Sequence, residues 1–222
     1  MQENPSRTLP VIVGFTLCLL VIGVIAFFAF YAITDGNTTS LRLCDENSMF
    51  TWLVRSSRHF DAAQIAMLQF RETNDTTFKE LTTERLLYAH NDAGGAQYLS
   101  YSKNIKEQAG RLMDLYKDFQ THFETDVRIG EELEQLEMNK IAEVEQLLDQ
   151  QQDVRQRLGV IANEIARINE ELLETSGERL EKFNGKVMER MFDLLVKVIL
   201  ATAVSVVVVI AVCVVVVRKV NR

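Results

Sequence analysis

Two apolar stretches near the ends of the chain enclose a polar middle in which apolar residues recur at helical spacing. Residues 194–217 form one stretch, with a single charge, Lys197, near its start. Residues 10–33 form the other and carry no charge. As a helix, each would span roughly 36 Å, enough to cross a hydrocarbon core of about 30 Å. We therefore predict two transmembrane helices, the first a retained signal anchor because its apolar run is too long for a cleaved signal.

The polar middle is predicted to be helical throughout. It contains no proline, is rich in helix-forming residues, and spaces its apolar residues about 3.5 positions apart. A short break with Gly36 as hinge precedes a first helix over about 41–91, which is expected to be irregular near Asn74. The strongest turn signal in the chain follows at Gly94 and Gly95, two residues able to adopt positive φ.

Three further helices complete the predicted path. The second ends near Gly130, the third begins at Glu131, and a turn is predicted within 149–153. The last begins at Val154 and runs without interruption into the second apolar stretch. The helices predicted to run away from the membrane have the same total length as those predicted to run back, so the chain can leave the membrane and return to it. A division of the same residues into helices with turns near Asn74 and Gly110 also returns the chain to the membrane. The helix boundaries therefore stay open.

This arrangement predicts an all-α protein whose ectodomain is an antiparallel four-helix bundle between two transmembrane helices. The basic residues of the C-terminal tail favour the cytoplasmic side for both termini, by the excess of positive charge that inner flanks carry. We expect a two-pass protein of the cell membrane. Its predicted segments are a cytoplasmic N-terminus (1–9), transmembrane helix 1 (10–33), an extracytoplasmic helical bundle (34–193), transmembrane helix 2 (194–217) and a cytoplasmic tail (218–222).

Charge argues against nucleic acid as a partner. Residues 34–193 contain 30 of the 31 acidic residues and 19 of the 24 basic ones, a net charge of −11. Such a segment repels phosphate backbones and anionic headgroups. The simplest interpretation of this charge is a solvated helix surface.

Cysteine and glycosylation signals leave alternatives open. Cys44 is the sole cysteine of residues 34–193, so it is either a free thiol or an intersubunit disulfide between two copies of the chain. Asn37 and Asn74 each begin an N-x-Thr sequon, and the sequence does not establish whether either is glycosylated.

Motifs for catalysis, metals and cofactors are absent from the sequence. No histidine follows a glutamate at the spacing that di-iron bundles use, and no zinc, P-loop or dinucleotide-binding motif occurs. We therefore expect no metal, no cofactor and no enzymatic activity.

The strongest candidate ligand site lies on the first predicted helix. Arg55, Arg58 and His59 occur within one and a half turns, beside Trp52, the only tryptophan. In an acidic domain this cluster could bind the carboxylate of a small acidic ligand through charge-assisted hydrogen bonds. The alternative is ordinary surface pairing with Asp61 and its neighbours.

Polar residues also interrupt the apolar seam of the first helix, at Gln64, Arg71, Asn74 and Arg85. They either fix the register of helix pairing or line an internal polar cavity.

The layout resembles the periplasmic or extracellular helical-bundle sensor domains of methyl-accepting chemoreceptors and sensor histidine kinases. The best local match covers Glu84 to Phe119, where a helix ends in a Leu-Leu-x-x-x-Asp-type turn and restarts with Tyr98-Leu99-Ser100-Tyr101. The similarity in layout extends over nearly the whole chain. It implies a homodimer that binds a ligand, or an extracytoplasmic binding protein, and moves its last helix relative to the membrane.

The sequence departs from that family after the second apolar stretch. Family members continue into a kinase-control or methyl-accepting region, whereas five residues follow Val217 here. We expect either a truncated receptor or a relative that acts through a membrane partner. The predicted function is a receptor-like membrane sensor, and the alternative is a structural or assembly protein that uses the acidic bundle as a spacer or docking surface.

Overall fold

A computed structural model describes residues 5–136 and 141–220. These residues form four helices and contain no strand. The prediction of an all-α protein is confirmed. The helices are α1 (Pro5–Thr73), α2 (Thr76–Leu99), α3 (Lys103–Gln135) and α4 (Ile141–Val220).

Helix α1 passes through residues 34–40, where the sequence predicted a break with Gly36 as hinge. Gly36 is helical, and no glycine in the described ranges has a positive φ. The hydroxyl of Thr34 donates to the carbonyl of Phe30, and that of Thr38 donates to the carbonyl of Asp35. The predicted break is wrong because these polar side chains bond the helix's own backbone.

The first turn lies at Asn74, so the predicted single helix over 41–91 is also wrong. Asn74 has a left-handed φ of 52°, and its N–H donates to the carbonyl of Phe70 at 2.7 Å. Asp75 then caps α2, since its Oδ1 accepts a hydrogen bond of 2.9 Å from the Thr77 N–H. Hydrogen bonds from Thr77 lower the pKa of the Asp75 carboxyl. The alternative division with a turn near Asn74 is right here.

The second turn lies at residues 100–102, after the two glycines that were expected to form it. Ser100 Oγ accepts a hydrogen bond of 3.1 Å from the Ser102 N–H, while Gly94 and Gly95 are inside α2. A Cβ added at Gly95 would lie 3.0 Å from the Trp52 ring. The absence of a side chain at Gly95 therefore lets α2 approach α1 closely, which is a packing role and not a turning role.

Helix α3 ends later than predicted, and α4 begins earlier. Helix α3 continues past Gly130 to Gln135, and α4 already begins at Ile141, so the predicted turn within 149–153 is absent. The uninterrupted run from Val154 into residues 194–217 is confirmed, since α4 contains both.

The chain forms two compact units. The first comprises Met1–Leu43 with Lys182–Arg222, and the second comprises Cys44–Glu181. Two helices, α1 and α4, are long and apolar enough to cross a membrane: their most apolar windows have mean hydropathies of 2.6 and 3.2 and contain no buried residue. Both helices contribute residues to both units.

The core of the second unit draws on all four helices. Aromatic rings contact at its centre, with Phe60 packing on Tyr116 at 5.4 Å and on Phe119 at 5.3 Å between ring centroids. Burial of such side chains is the main favourable contribution to folding. The larger buried members are Met49, Leu53, Phe60 and Met67 of α1, Leu86 of α2, Ile105, Leu112, Tyr116, Phe119 and Phe123 of α3, and Leu158, Ile165, Ile168 and Leu172 of α4.

Candidate functional site

A buried carboxylate on α2 joins two of the predicted ligand-binding residues on α1. Asp92 is 4% exposed, and its Oδ2 lies 3.6 Å from Arg55 Nε and 3.5 Å from His59 Nε2. Positions 55 and 59 are four residues apart, so they share one face of α1. Arg55 is paired with Asp92, so the alternative of surface pairing with Asp61 does not apply to Arg55.

Opposing effects act on the Asp92 carboxyl. Burial raises its pKa above the ordinary value, while the electrostatic attraction of Arg55, and after it that of His59, acts to lower it. Its Oδ2 makes no hydrogen bond within the described residues. Asp92 is thus held by charge at distances longer than a good hydrogen bond, and it is poorly compensated for the loss of water.

Trp52 forms one wall of this cluster. The guanidinium of Arg55 lies 4.8 Å from the centre of the Trp52 ring, within the range of a cation–π contact. On the other helix, Gly95 lies against the same ring. Trp52 and Arg55 therefore lie together, as predicted, and α2 supplies the remaining contacts.

His59 is contacted by two more residues of α2. Arg85 Nη1 lies 3.4 Å from His59 Nδ1, and the Tyr88 ring lies 5.4 Å from the imidazole. The Tyr88 hydroxyl donates to Glu84 at 2.8 Å, and this carboxylate raises the pKa of Tyr88. His59 is consequently half-buried between cationic and anionic groups that the sequence prediction did not include.

Arg58 does not join the cluster. Its side chain is exposed, and it makes no ion pair or hydrogen bond with any residue of the described ranges. Cys44 is an exposed free thiol of α1 in the single chain. An intersubunit disulfide at Cys44 stays a prediction.

A buried polar layer crosses the core beside this cluster. The hydroxyl of Ser56 donates to the carbonyl of Ala89 at 2.9 Å and lies 3.0 Å from the hydroxyl of Tyr116. Asn169 Nδ2 donates to the same Tyr116 oxygen at 3.3 Å. Burial raises the pKa of Tyr116 despite these hydrogen bonds, so this phenol stays protonated at neutral pH. The layer joins all four helices through side-chain hydrogen bonds.

A second buried carboxylate, Asp126 of α3, is shared by two arginines. Arg71 Nε donates to its Oδ2 at 3.0 Å, and Arg155 Nε donates to its Oδ1 at 2.9 Å. Together with Asn74 these residues line a polar cavity of about 400 Å³. Of the polar residues noted along the predicted seam, Arg71 and Asn74 thus line a cavity, while Arg85 contacts His59.

The described side chains offer no metal centre. No group of three or more His, Cys, Asp or Glu residues among them is placed to hold a metal ion. No family model, curated protein or solved structure matches the chain.

Proposed function

We propose that the chain is a receptor-like membrane sensor whose extracytoplasmic domain is an antiparallel four-helix bundle between two transmembrane helices. In this proposal both termini are cytoplasmic, the protein is a homodimer, and a ligand or partner bound outside is coupled to the membrane helices. The two apolar helices and the all-α core support it. The basic residues after the second apolar stretch support the orientation.

The cluster of Arg55, His59 and Asp92 carries the proposal. The Arg55 side chain is 53% exposed, so a dissolved carboxylate can reach its guanidinium, and Asp92 already occupies the other side of it. A ligand carboxylate would compete with Asp92 for Arg55 and weaken the charge contact between α1 and α2. Binding would then shift the population between two packings of the helices.

The last helix offers a place where packing could change. Ser176 is fully buried in α4, and its hydroxyl has no hydrogen-bond partner within the described residues. The adjacent Gly177 packs against Phe50 of α1, since an added Cβ would lie 3.7 Å from that ring. An unsatisfied hydroxyl beside a glycine favours a position at which the packing of α4 can change, close to the end of the second unit.

The proposal is tested by thermal unfolding of the full chain in phosphatidylcholine nanodiscs against a panel of small mono- and dicarboxylic acids. An acid that binds should stabilise the protein by about 2.7 kcal/mol at 100 times its Kd. Arg55→Ala should abolish the shift, whereas Arg157→Ala should retain it, because Arg157 is an exposed arginine paired within α4 to Asp153. An unshifted midpoint across the panel, or equal loss in both variants, would contradict an acid-binding site at Arg55.

Exposed apolar side chains of the second unit favour the second candidate function, an assembly or docking protein. Tyr98 is 87% exposed, and Ile65, Leu68 and Val160 are each more than half exposed. Ile65 and Leu68 are three residues apart and therefore lie side by side on α1, where adjacent exposed apolar side chains favour a protein contact. Co-purification of a stoichiometric membrane protein, with no response to any acid, would support this function over the sensor.

A further inference from the structure

The outer face of α1 in the second unit carries a continuous stripe of accessible positions. They recur at alternating intervals of three and four residues, which is the spacing of the contact seam in a coiled coil. Seven of the eight side chains are exposed, and Val54 is partly exposed. The α1 stripe consists of Cys44, Asn47, Thr51, Val54, Arg58, Asp61, Ile65 and Leu68. None of these residues belongs to the buried core, so the stripe faces away from its own chain.

The exposed face of α1 is poor in charge compared with that of α3. Of the ten exposed residues from Cys44 to Gln69, three are charged, whereas 12 of the 15 exposed residues of α3 are charged. Ile65 and Leu68, at one end of the stripe, are 58% and 53% exposed. Depletion of charge beside exposed apolar side chains distinguishes a protein contact from ordinary solvated surface. The α1 stripe therefore has the composition of an interface.

The two charges of the α1 stripe are unpaired within the described residues. Arg58 and Asp61 are exposed, and neither forms an ion pair or hydrogen bond with another described residue. Opposite charges at the same spacing are in contact on α4, where Arg167 lies 4.0 Å from Glu164. The stripe thus offers one free positive and one free negative group, one helical turn apart.

Two-fold symmetry makes this stripe complementary to itself. In a symmetric pair the same surface occurs on both sides, so each charge must find its opposite on the other copy. Two copies in one membrane with the same orientation have parallel α1 helices, and equivalent positions then lie at the same level. Arg58 of each copy comes within reach of Asp61 of the other, while Ile65 and Leu68 meet their equivalents.

We propose that the α1 stripe is the surface through which two copies of the chain associate, with Arg58 of each copy paired to Asp61 of the other. The assignment rests on the homodimer of the proposed function and names the surface that forms it. Charge complementarity favours a second copy over a different partner, because a uniformly acidic or basic partner would satisfy one of the two charges and oppose the other.

Charge reversal tests this pairing on the full chain in detergent micelles, with the dissociation constant of the dimer measured by sedimentation equilibrium. Arg58→Asp and Asp61→Arg each place like charges across the interface, so each should weaken the dimer about tenfold or more. The double variant, with both substitutions, recreates the two pairs in the opposite sense and should restore dimerisation. Both side chains are exposed, so the variants should fold.

Arg128→Asp and Asp114→Arg are the matched controls, because both residues are exposed on α3. Each should leave the dimer unchanged, and equal weakening in the controls would overturn the proposal in favour of a general effect of charge. A dimer that tolerates both reversals in the stripe, or a double variant that stays weak, would overturn the interface but leave the homodimer in place. A monomeric wild-type chain would overturn both. Loss of a co-purifying second protein in Arg58→Asp, with no dimer, would assign the stripe to that protein instead.

Cysteine cross-linking in the membrane locates the interface independently of charge. In a variant with Cys18→Ala and Cys213→Ala, a short bismaleimide should join two copies through Cys44, which is exposed at one end of the stripe. Cys44→Ser should abolish the cross-link, Thr51→Cys in that background should restore it, and Thr121→Cys, on the exposed face of α3, should not. Equal cross-linking at positions 51 and 121, or none at 44 and 51, would contradict the α1 stripe as the interface.

Discussion

At the scale of single residues, Asp92 is the side chain on which the candidate site depends. Arg55 and His59 attract its charge from 3.6 and 3.5 Å, while burial opposes that charge. The effect of burial is the larger of the two, and the net result is a raised pKa of Asp92. The charged form of Asp92 is therefore less favourable in the folded protein than in the unfolded chain.

Replacement by the uncharged isostere, Asp92→Asn, should change the dependence of stability on pH. A raised pKa in the folded state means that the contribution of Asp92 to stability is present below its ordinary pKa of 3.8 and is lost as pH rises through the raised value. The variant escapes this loss, so its stability relative to wild type should increase from pH 4 to pH 7. Thermal unfolding at both pH values, followed by Trp52 fluorescence, measures the difference. A variant that loses stability relative to wild type as pH rises would contradict the stated balance.

The adjacent glycines of α2 allow a matched comparison. A Cβ at Gly94 would make an ordinary contact of 3.5 Å with Met113, whereas a Cβ at Gly95 would lie 3.0 Å from the Trp52 ring. Gly94→Ala should stabilise the protein by up to about 1 kcal/mol, because alanine is the better helix former. Gly95→Ala has the same helical advantage but must displace Trp52, so it should be less stable than Gly94→Ala and should shift the fluorescence maximum. Identical stability and spectra in the two variants would refute the close approach of α2 to Trp52.

The sequence could indicate Trp52, Arg55 and His59 because residues three and four apart share a helix face. It could not indicate Asp92, since residues 90–95 look like a turn when Gly94 and Gly95 are judged by their backbone freedom. Gly95 instead serves the close packing of α2 against α1. Only the spatial contact with Trp52 distinguishes the two roles.

At the scale of helices, the apolar stripes were predictable and the turns were not. In α3 the apolar residues that recur at helical spacing are buried, namely Ile105, Leu112, Tyr116, Phe119 and Phe123. The single helix predicted across Asn74 failed, because the chain turns there and α2 is a separate helix that buries Thr82, Leu86 and Ala89. A heptad pattern defines a face within one helix, and it does not survive a turn.

Tyr116→Phe tests the polar layer that joins the helices. The substitution keeps the ring in the core but leaves Asn169 Nδ2 without its partner and removes one contact of Ser56. It should destabilise the protein by about 1 to 3 kcal/mol, the cost of an unsatisfied buried polar group. Tyr98→Phe is the control, because Tyr98 is exposed and should change stability by less than about 0.5 kcal/mol. Thermal unfolding that shows no difference between the two variants would argue against a hydrogen-bonded layer.

At the scale of the whole molecule, the two units have different surfaces. The first exposes many Val, Leu, Ile and Phe side chains, and the second buries aromatic and aliphatic residues beneath a charged surface. Since α1 and α4 contribute to both units, the proposed coupling needs no additional segment of chain. Composition was enough to predict two helices apolar enough to cross a membrane, because transfer into lipid depends on a contiguous apolar run and not on tertiary contacts.

The proposed sensor requires the second unit to lie outside the cell, and Cys44 provides a native reporter of that location. Cys44 is exposed, while the other two cysteines lie in the apolar stretches. A membrane-impermeant maleimide, added to intact cells after mild reduction, should label the protein, and Cys44→Ser should abolish labelling. Labelling of the wild-type protein only after the membrane is permeabilised would place residues 34–193 inside the cell and contradict the account.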